Sequence, residues 1–160
     1  MTSRASGKTA PMVLEVYVSL TLPRDEMTVP VARHLCDFAL QELGVTAQCR
    51  ADVALALTEA CTNVVEHSTA DCPYAVNITL DEEQCSIRVV GGDSDVDLAE
   101  LERRDGRDGI HAERGRGVEL MHRLVDRVAF TSAPEDGVIV QMQKHLEFDE
   151  HHPVHRHLMS

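Results

Sequence analysis

The chain has 160 residues, a length that suits one domain built around a single core. Its 27 acidic and 15 basic side chains give a formal net charge of −12, and aromatic residues make up only 3% of the sequence. So acidic a chain has no general attraction for nucleic-acid backbones or anionic membranes, and so few aromatics leave little for base stacking. We therefore expect no direct contact with nucleic acid and none with a membrane.

Two further features bear on the compartment. No apolar run approaches the roughly 20 residues that a membrane helix needs, and the polar segment 1–12 lacks the apolar core of a signal peptide. These features predict a cytoplasmic protein. The five cysteines form no C-x-x-C pair and are odd in number, so we expect most of them to be reduced core residues rather than disulfides or zinc ligands.

The chain begins with a predicted flexible tail, residues 1–12, followed by a strand. In VLEVYVSL, residues 13–20, apolar side chains alternate with polar ones, which is typical of a strand with one buried face. A helix is then predicted over about 28–43, because Pro30 fits a first helical turn and Gly44 is a good stop signal. The predicted buried side of this helix consists of Val31, Leu35, Phe38 and Leu43.

A second, longer helix is predicted from Thr46, whose side chain can cap it, to about Ser68. Alternating apolar residues then predict strands over 74–80 and 85–90, which the short turn between them joins as an antiparallel hairpin. The predicted buried stripe of the second helix consists of Val53, Leu57, Cys61, Val64 and Val65.

Residues 91–117 differ from the rest, with six glycines and many charges of both signs. Loops this long without a clear core face are often functional lids, so we interpret about 92–116 as a lid. The elements expected after it are a third helix over about 117–127, strands over 128–132 and 138–146, and a loose, His-rich tail over 147–160.

The resulting order is β-α-α-β-β-lid-α-β-β. Sequential antiparallel strands with helices in two groups predict an α+β fold, a two-layer sandwich with helices on one face of a single sheet. We expect one domain, residues 13–146, between the two tails.

The stretch LTEACTNVVEH, residues 57–67, carries polar side chains beside its apolar stripe. Glu59 and Asn63 are four residues apart and share a helix face. An amide oxygen is a suitable Mg²⁺ ligand, and a carboxylate can accept a proton from a nucleophile. This spacing also occurs in many solvated helices, so the pair alone favours an ordinary solvated face.

A second stretch, GRGVELM at 115–121, places Gly115 and Gly117 just before the predicted third helix. Free N–H groups at a helix N-terminus attract anions, and glycine lets a phosphate approach closely. An ordinary flexible loop before a helix would show the same pattern.

Together, the two stretches resemble the GHKL ATPase superfamily and, more narrowly, the bacterial anti-sigma factor serine-protein kinases. The family's N box, L-[ST]-E-A-x-T-N-x-x-x-H, is matched across residues 57–67. Its late glycine box, G-x-G-[LFV]-x-[LI]-[MV], is matched across 115–121. The length and the order of elements also fit, so the resemblance covers roughly residues 13–146.

This resemblance implies a Bergerat-type site for ATP and Mg²⁺. Glu59 would be the general base, and Asn63 would hold Mg²⁺ against the phosphates. Gly115, Gly117 and the adjoining Val118 would belong to the phosphate-binding segment, and His67 would have a supporting role. The lid arginines, one or more of which could reach the γ-phosphate, are Arg103, Arg104, Arg107, Arg114 and Arg116.

The sequence departs from the family at the end of the middle strand, where an Asp would accept a hydrogen bond from the adenine amino group. Ile87 and Val89 are the predicted buried residues of that strand, and Gly91 is next in phase. Asp93 comes two residues later and would reach the pocket only through a bulge or a loop shift. We expect Gly91 to occupy the adenine position, because that register needs no bulge.

The implied function is an ATP-binding regulator that sequesters a sigma factor and phosphorylates a serine of an anti-sigma factor antagonist of the STAS type. Such proteins commonly form homodimers through the first strand and helix, here residues near 13–43. The alternative is a non-enzymatic binding protein of the same fold that has lost nucleotide binding at Gly91. A nucleotide-hydrolysing motor fits less well, because no second domain is evident.

Overall fold

A computed structural model describes residues 13–67, 72–91, 112–133 and 137–160. The predicted N-terminal tail and residues 92–111 of the predicted lid lie outside these ranges, and so does Asp93.

The described strands form one five-stranded sheet in the order β1-β2-β3-β5-β4, in which every neighbouring pair is antiparallel. In the central register, Ile87 lies opposite Ile78 on one side and opposite Met142 on the other. The strands are β1 (Glu15–Leu22), β2 (Tyr74–Asp81), β3 (Gln84–Val90), β4 (Arg127–Ala133) and β5 (Gly137–His145).

The alternation read from the sequence gives the sheet one apolar and one polar face, as predicted. In β2 the buried side chains are Tyr74, Val76, Ile78 and Leu80, and β3 continues the same face. The opposite face is polar. On it lies a shallow cavity of about 300 Å³ whose lining includes Tyr17, Arg88 and Gln141.

Helices cover the apolar face and complete the core, which confirms the α+β sandwich. Helix α1 packs on α2, and α2 packs on α3. The positive φ of 87° at Gly44 ends the turn after α1, as its sequence position indicated. The helices are α1 (Val29–Glu42), α2 (Ala47–His67), α3 (Ala112–Leu124) and α4 (Pro153–Met159), with a 3-10 turn at Glu26–Thr28 before α1.

The predicted buried side of α1 is wrong for three of its four residues. Val31, Leu35 and Phe38 are exposed, and only Leu43 is buried. The helix has a second apolar side that packs into the core, where the small side chains of Ala32 and Cys36 let it lie close to its neighbours. Its buried members are Val29, Ala32, Cys36 and Leu40.

The start of the third helix also differs from the prediction. Helix α3 begins at Ala112, so Gly115 and Gly117 lie within it rather than in a loop before it, and the predicted lid ends by residue 111. Glycine lowers helix propensity without forbidding a helix, and burial of Val118 and Met121 holds α3 against the core.

The C-terminal segment is docked, whereas we predicted a loose tail. The backbone N–H of Thr46 donates to the carbonyl of Glu147 at 2.8 Å, and that of Asp149 donates to Gly44 at 2.7 Å. The Phe148 ring then stacks on His155 of α4 at 5.3 Å between ring centres. The tail helix has only seven residues, too few for a helical period to show in the sequence, so its contact with the α1–α2 turn was not predicted.

The cysteines are free thiols, as expected, and only Cys72 is exposed. Burial and the nearby Cys36 raise the pKa of Cys61 to about 12. A hydrogen bond with the side chain of Cys36 is the main cause that raises the pKa of the Cys85 thiol, and burial raises it further. These thiols therefore act as small apolar core residues. Among the described residues, none of the helices is long and apolar enough to cross a bilayer.

Candidate nucleotide-binding site

The candidate site is built on helix α2, whose buried stripe fixes the direction of its polar side chains. Leu57, Cys61 and Val64 are buried as predicted, and this orientation leaves Glu59 and Asn63 partly buried on an adjoining face. Thr58 belongs to the same motif, but its hydroxyl donates to the Ala54 carbonyl at 2.8 Å and so supports the helix itself.

The structure brings Glu59 against Gly117 of helix α3. A β-carbon built at Gly117 would lie 2.9 Å from Oε2 of Glu59, closer than real β-carbons approach other atoms. The N box and the late glycine box, far apart in the sequence, therefore meet through a carboxylate and a glycine. Spacing could not reveal this contact, because it depends on how two segments that are distant in the sequence pack together.

A second contact lies farther along α2. Gly91 follows β3 directly and is buried, in phase with Ile87 and Val89 as predicted. A β-carbon at Gly91 would lie 2.7 Å from Cγ1 of Val64. The space that a side chain at this position would need is therefore occupied by a methyl group, which the sequence alone did not indicate.

For most of the remaining predicted site residues, the structure gives the position in the fold but no side-chain contact. Val118 is 3% exposed and belongs to the apolar core. For Arg114, Gly115 and Arg116 the structure describes only that they lie in the first turns of α3. His67 is the last residue of α2.

The donor set of the described site suits Mg²⁺ bound together with a phosphate. Asn63 offers a neutral amide oxygen, and Mg²⁺ takes as few as one or two protein ligands when phosphate and water complete its shell, which leaves the Glu59 carboxylate available as a base. No group of three or more metal-ligating His, Cys, Asp or Glu side chains occurs among the described residues.

The chain matches the model of a known protein family. A family model described as the histidine kinase-like ATPase domain matches residues 22–144, which span both the N box and the late glycine box.

Two curated proteins are similar over much of the chain. The Serine-protein kinase RsbW of Halalkalibacterium halodurans is 29% identical over 140 residues, covering 83% of this chain and 85% of its own length. The Anti-sigma F factor of Pasteuria penetrans is 25% identical over 114 residues, covering 66% of this chain and 75% of its own length.

Solved structures share the fold at lower sequence identity. One contains the RsbU and RsbW domains of Rv1364c from Mycobacterium tuberculosis, with a TM-score of 0.63, 18% identity and coverage of 82% of this chain and 32% of that one. Another is the SiaB-SiaC complex from Pseudomonas aeruginosa, with a TM-score of 0.56, 12% identity and coverage of 84% of this chain and 91% of that one.

Proposed function

We propose that this chain, which belongs to the histidine kinase-like ATPase domain family, is an anti-sigma-factor-like regulator. It would bind Mg-ATP, phosphorylate a serine of a STAS-type anti-sigma factor antagonist, and sequester a sigma factor. The observation that carries this proposal is the meeting of Glu59 on α2 with Gly117 on α3, which joins the two sequence motifs at one site. The similarity to a serine-protein kinase and to an anti-sigma factor supports it.

In this proposal Glu59 is the general base of phosphoryl transfer. Its carboxylate accepts the proton of the acceptor serine hydroxyl while the serine oxygen forms a bond to the γ-phosphorus. The bond from the γ-phosphorus to the bridging oxygen breaks, and ADP leaves. Asn63 would hold Mg²⁺, which neutralises charge on the phosphates when it is bound. The first turn of α3 offers N–H groups that lack partners within the helix, and these favour phosphate.

The surface around α1 supports the homodimer expected from residues near 13–43. Strand β1 lies at an edge of the sheet, and Val31, Leu35 and Phe38 form an exposed apolar stripe on α1, with Phe38 62% exposed. Exposed apolar patches often mark protein interfaces. A second copy of the chain, with its own β1 and α1, is the partner that we propose here.

Sedimentation equilibrium tests the homodimer. Phe38→Ser should shift the chain toward the monomer, whereas Leu55→Ser, a matched change at an exposed leucine of α2, should not. A wild-type chain that is monomeric at high concentration, or equal effects of the two changes, would contradict this interface.

A second candidate function is favoured by the contact at Gly91. Gly91 has no side chain and Val64 fills the space beside it, so position 91 offers no carboxylate to an adenine amino group. A chain with so weak a nucleotide site could act as a binding protein that captures its partners without transferring phosphate.

Calorimetry with Mg-ATP separates the two candidates. The regulator with kinase activity requires saturable, Mg²⁺-dependent binding that weakens in Asn63→Ala, because this change removes the metal ligand. Transfer of labelled phosphate to a STAS-type antagonist is the second test. Absence of binding at millimolar ATP, with the sigma factor still captured, would favour the non-enzymatic candidate.

A further inference from the structure

Gly117 occupies a costly position for a glycine. It lies in the interior of α3, where glycine loses more conformational freedom than any other residue and forms helix less readily than alanine. Its φ is not in the left-handed region that favours glycine, since Gly44 is the glycine with positive φ among the described residues. The backbone conformation therefore does not require a glycine here.

The surroundings of Gly117 instead show what a side chain at this position would displace. A β-carbon at this position would meet Oε2 of Glu59 at 2.9 Å and Cδ at 3.9 Å. Gly117 is buried and its neighbour Val118 is anchored in the core, so α3 cannot easily retreat from α2. Glu59 would have to move in order to make room.

We propose that Gly117 is a positioning residue for the Glu59 carboxylate, and that the absence of a side chain at 117 sets where this carboxylate lies. The inference rests on the proposed function, because it assigns Glu59 as the base. It gives Gly117 a role separate from phosphate binding, since the contact is with a protein side chain on another helix.

Kinetics test the positioning role. Gly117→Ala should displace the carboxylate and lower kcat for phosphate transfer by roughly a hundredfold, because a misplacement of about 1 Å can cost that much. The KM for ATP should change little. Glu119→Ala, an exposed change two residues along the same helix, should leave both parameters unchanged.

A shorter base supplies the rescue. Glu59→Asp withdraws the carboxylate by one methylene, which leaves room for the methyl group that Gly117→Ala introduces. Adding Gly117→Ala in the Glu59→Asp background should therefore lower kcat no further. A further fall of the same size in this background would overturn the proposal, and so would a loss of ATP binding that accounts for the whole effect of Gly117→Ala.

Thermal unfolding tests the same contact without any activity. Alanine is the better helix former, so Gly117→Ala should raise the Tm by roughly 2–4 °C once Glu59 is replaced by alanine. With Glu59 present, the gain should be smaller, because the carboxylate must move aside to make room for the methyl group. If Gly117→Ala raises or lowers the Tm equally in both backgrounds, the carboxylate does not depend on position 117. A wild-type chain that transfers no phosphate would refute the proposed function, while the Tm comparison would still decide the contact.

Discussion

Helix α2 meets two buried glycines, and the two contacts differ in chemistry. At Gly117 the neighbour is the Glu59 carboxylate, whereas at Gly91 it is a methyl group of Val64. Both glycines leave room for a side chain of α2. The space beside Gly117 holds the Glu59 carboxylate. The space beside Gly91 holds a methyl group of Val64, at a position where the family resemblance implies a carboxylate. In our proposal, the part of the site that acts on phosphate therefore keeps the residues that the resemblance implies, whereas the part that reads the base lacks its carboxylate.

The largest effect should follow from breaking the first contact. Glu59→Ala removes the proposed base, and loss of general base catalysis costs roughly 10²–10⁴-fold in rate. Phosphate transfer should fall by that amount, while calorimetric binding of Mg-ATP stays close to wild type because the carboxylate acts on the nucleophile. Glu119→Ala is the matched surface control. Full transfer by Glu59→Ala would show that another group is the base.

The comparison also separates what the sequence could predict from what it could not. Alternation in β2 and β3 placed Gly91 correctly in phase with Ile87 and Val89, since a strand has a fixed period of two. On α1, apolar residues occur on two sides, and periodicity cannot tell which side packs inward. The contact of Glu59 with Gly117 joins distant segments, so it depends on how α2 and α3 pack rather than on any local pattern.

Both contacts require α2 to stay packed, and Cys61 on its buried face provides a measure of that packing. Its thiol has an ordinary pKa of 9.0 and a pKa of about 12 in the fold, chiefly because of burial. Between these pH values the unfolded chain releases a proton that the folded chain keeps. The contribution of this thiol to the free energy of unfolding should therefore be fully present below about pH 9. It should be lost as pH rises toward 12, by on the order of 4 kcal/mol.

Urea unfolding across this pH range checks the expectation. Cys61→Ala should reduce the alkaline loss, although the change also leaves a small cavity, whereas Cys72→Ala should not, because Cys72 is exposed. An alkaline profile that Cys61→Ala leaves unchanged would mean that α2 opens readily enough for the thiol to ionise in the native state.

The second contact can be altered in the opposite direction, by supplying the missing carboxylate. Without it the wild-type chain should bind ATP weakly and distinguish adenine poorly. Gly91→Asp alone should not improve binding, because its β-carbon would lie 2.7 Å from Cγ1 of Val64, and a valine in a helix has one strongly preferred rotamer. Val64→Ala removes that methyl group. The double variant Gly91→Asp, Val64→Ala should therefore bind Mg-ATP more tightly than wild type.

The size of this gain follows from the hydrogen bond that it restores. A hydrogen bond to a charged group contributes roughly 1.5–3 kcal/mol, or about ten- to a hundredfold in affinity, and it should appear with ATP and not with GTP. Gly91→Asn, Val64→Ala is the control, since it has the same shape without the charge. If Gly91→Asp alone raised the affinity for Mg-ATP as much as the double variant, the Val64 side chain would have to move aside without the Val64→Ala change. Tight, adenine-selective binding by wild type that is lost in Asp93→Ala would instead assign the reading of the base to Asp93, because only a shifted loop brings that carboxylate to the pocket.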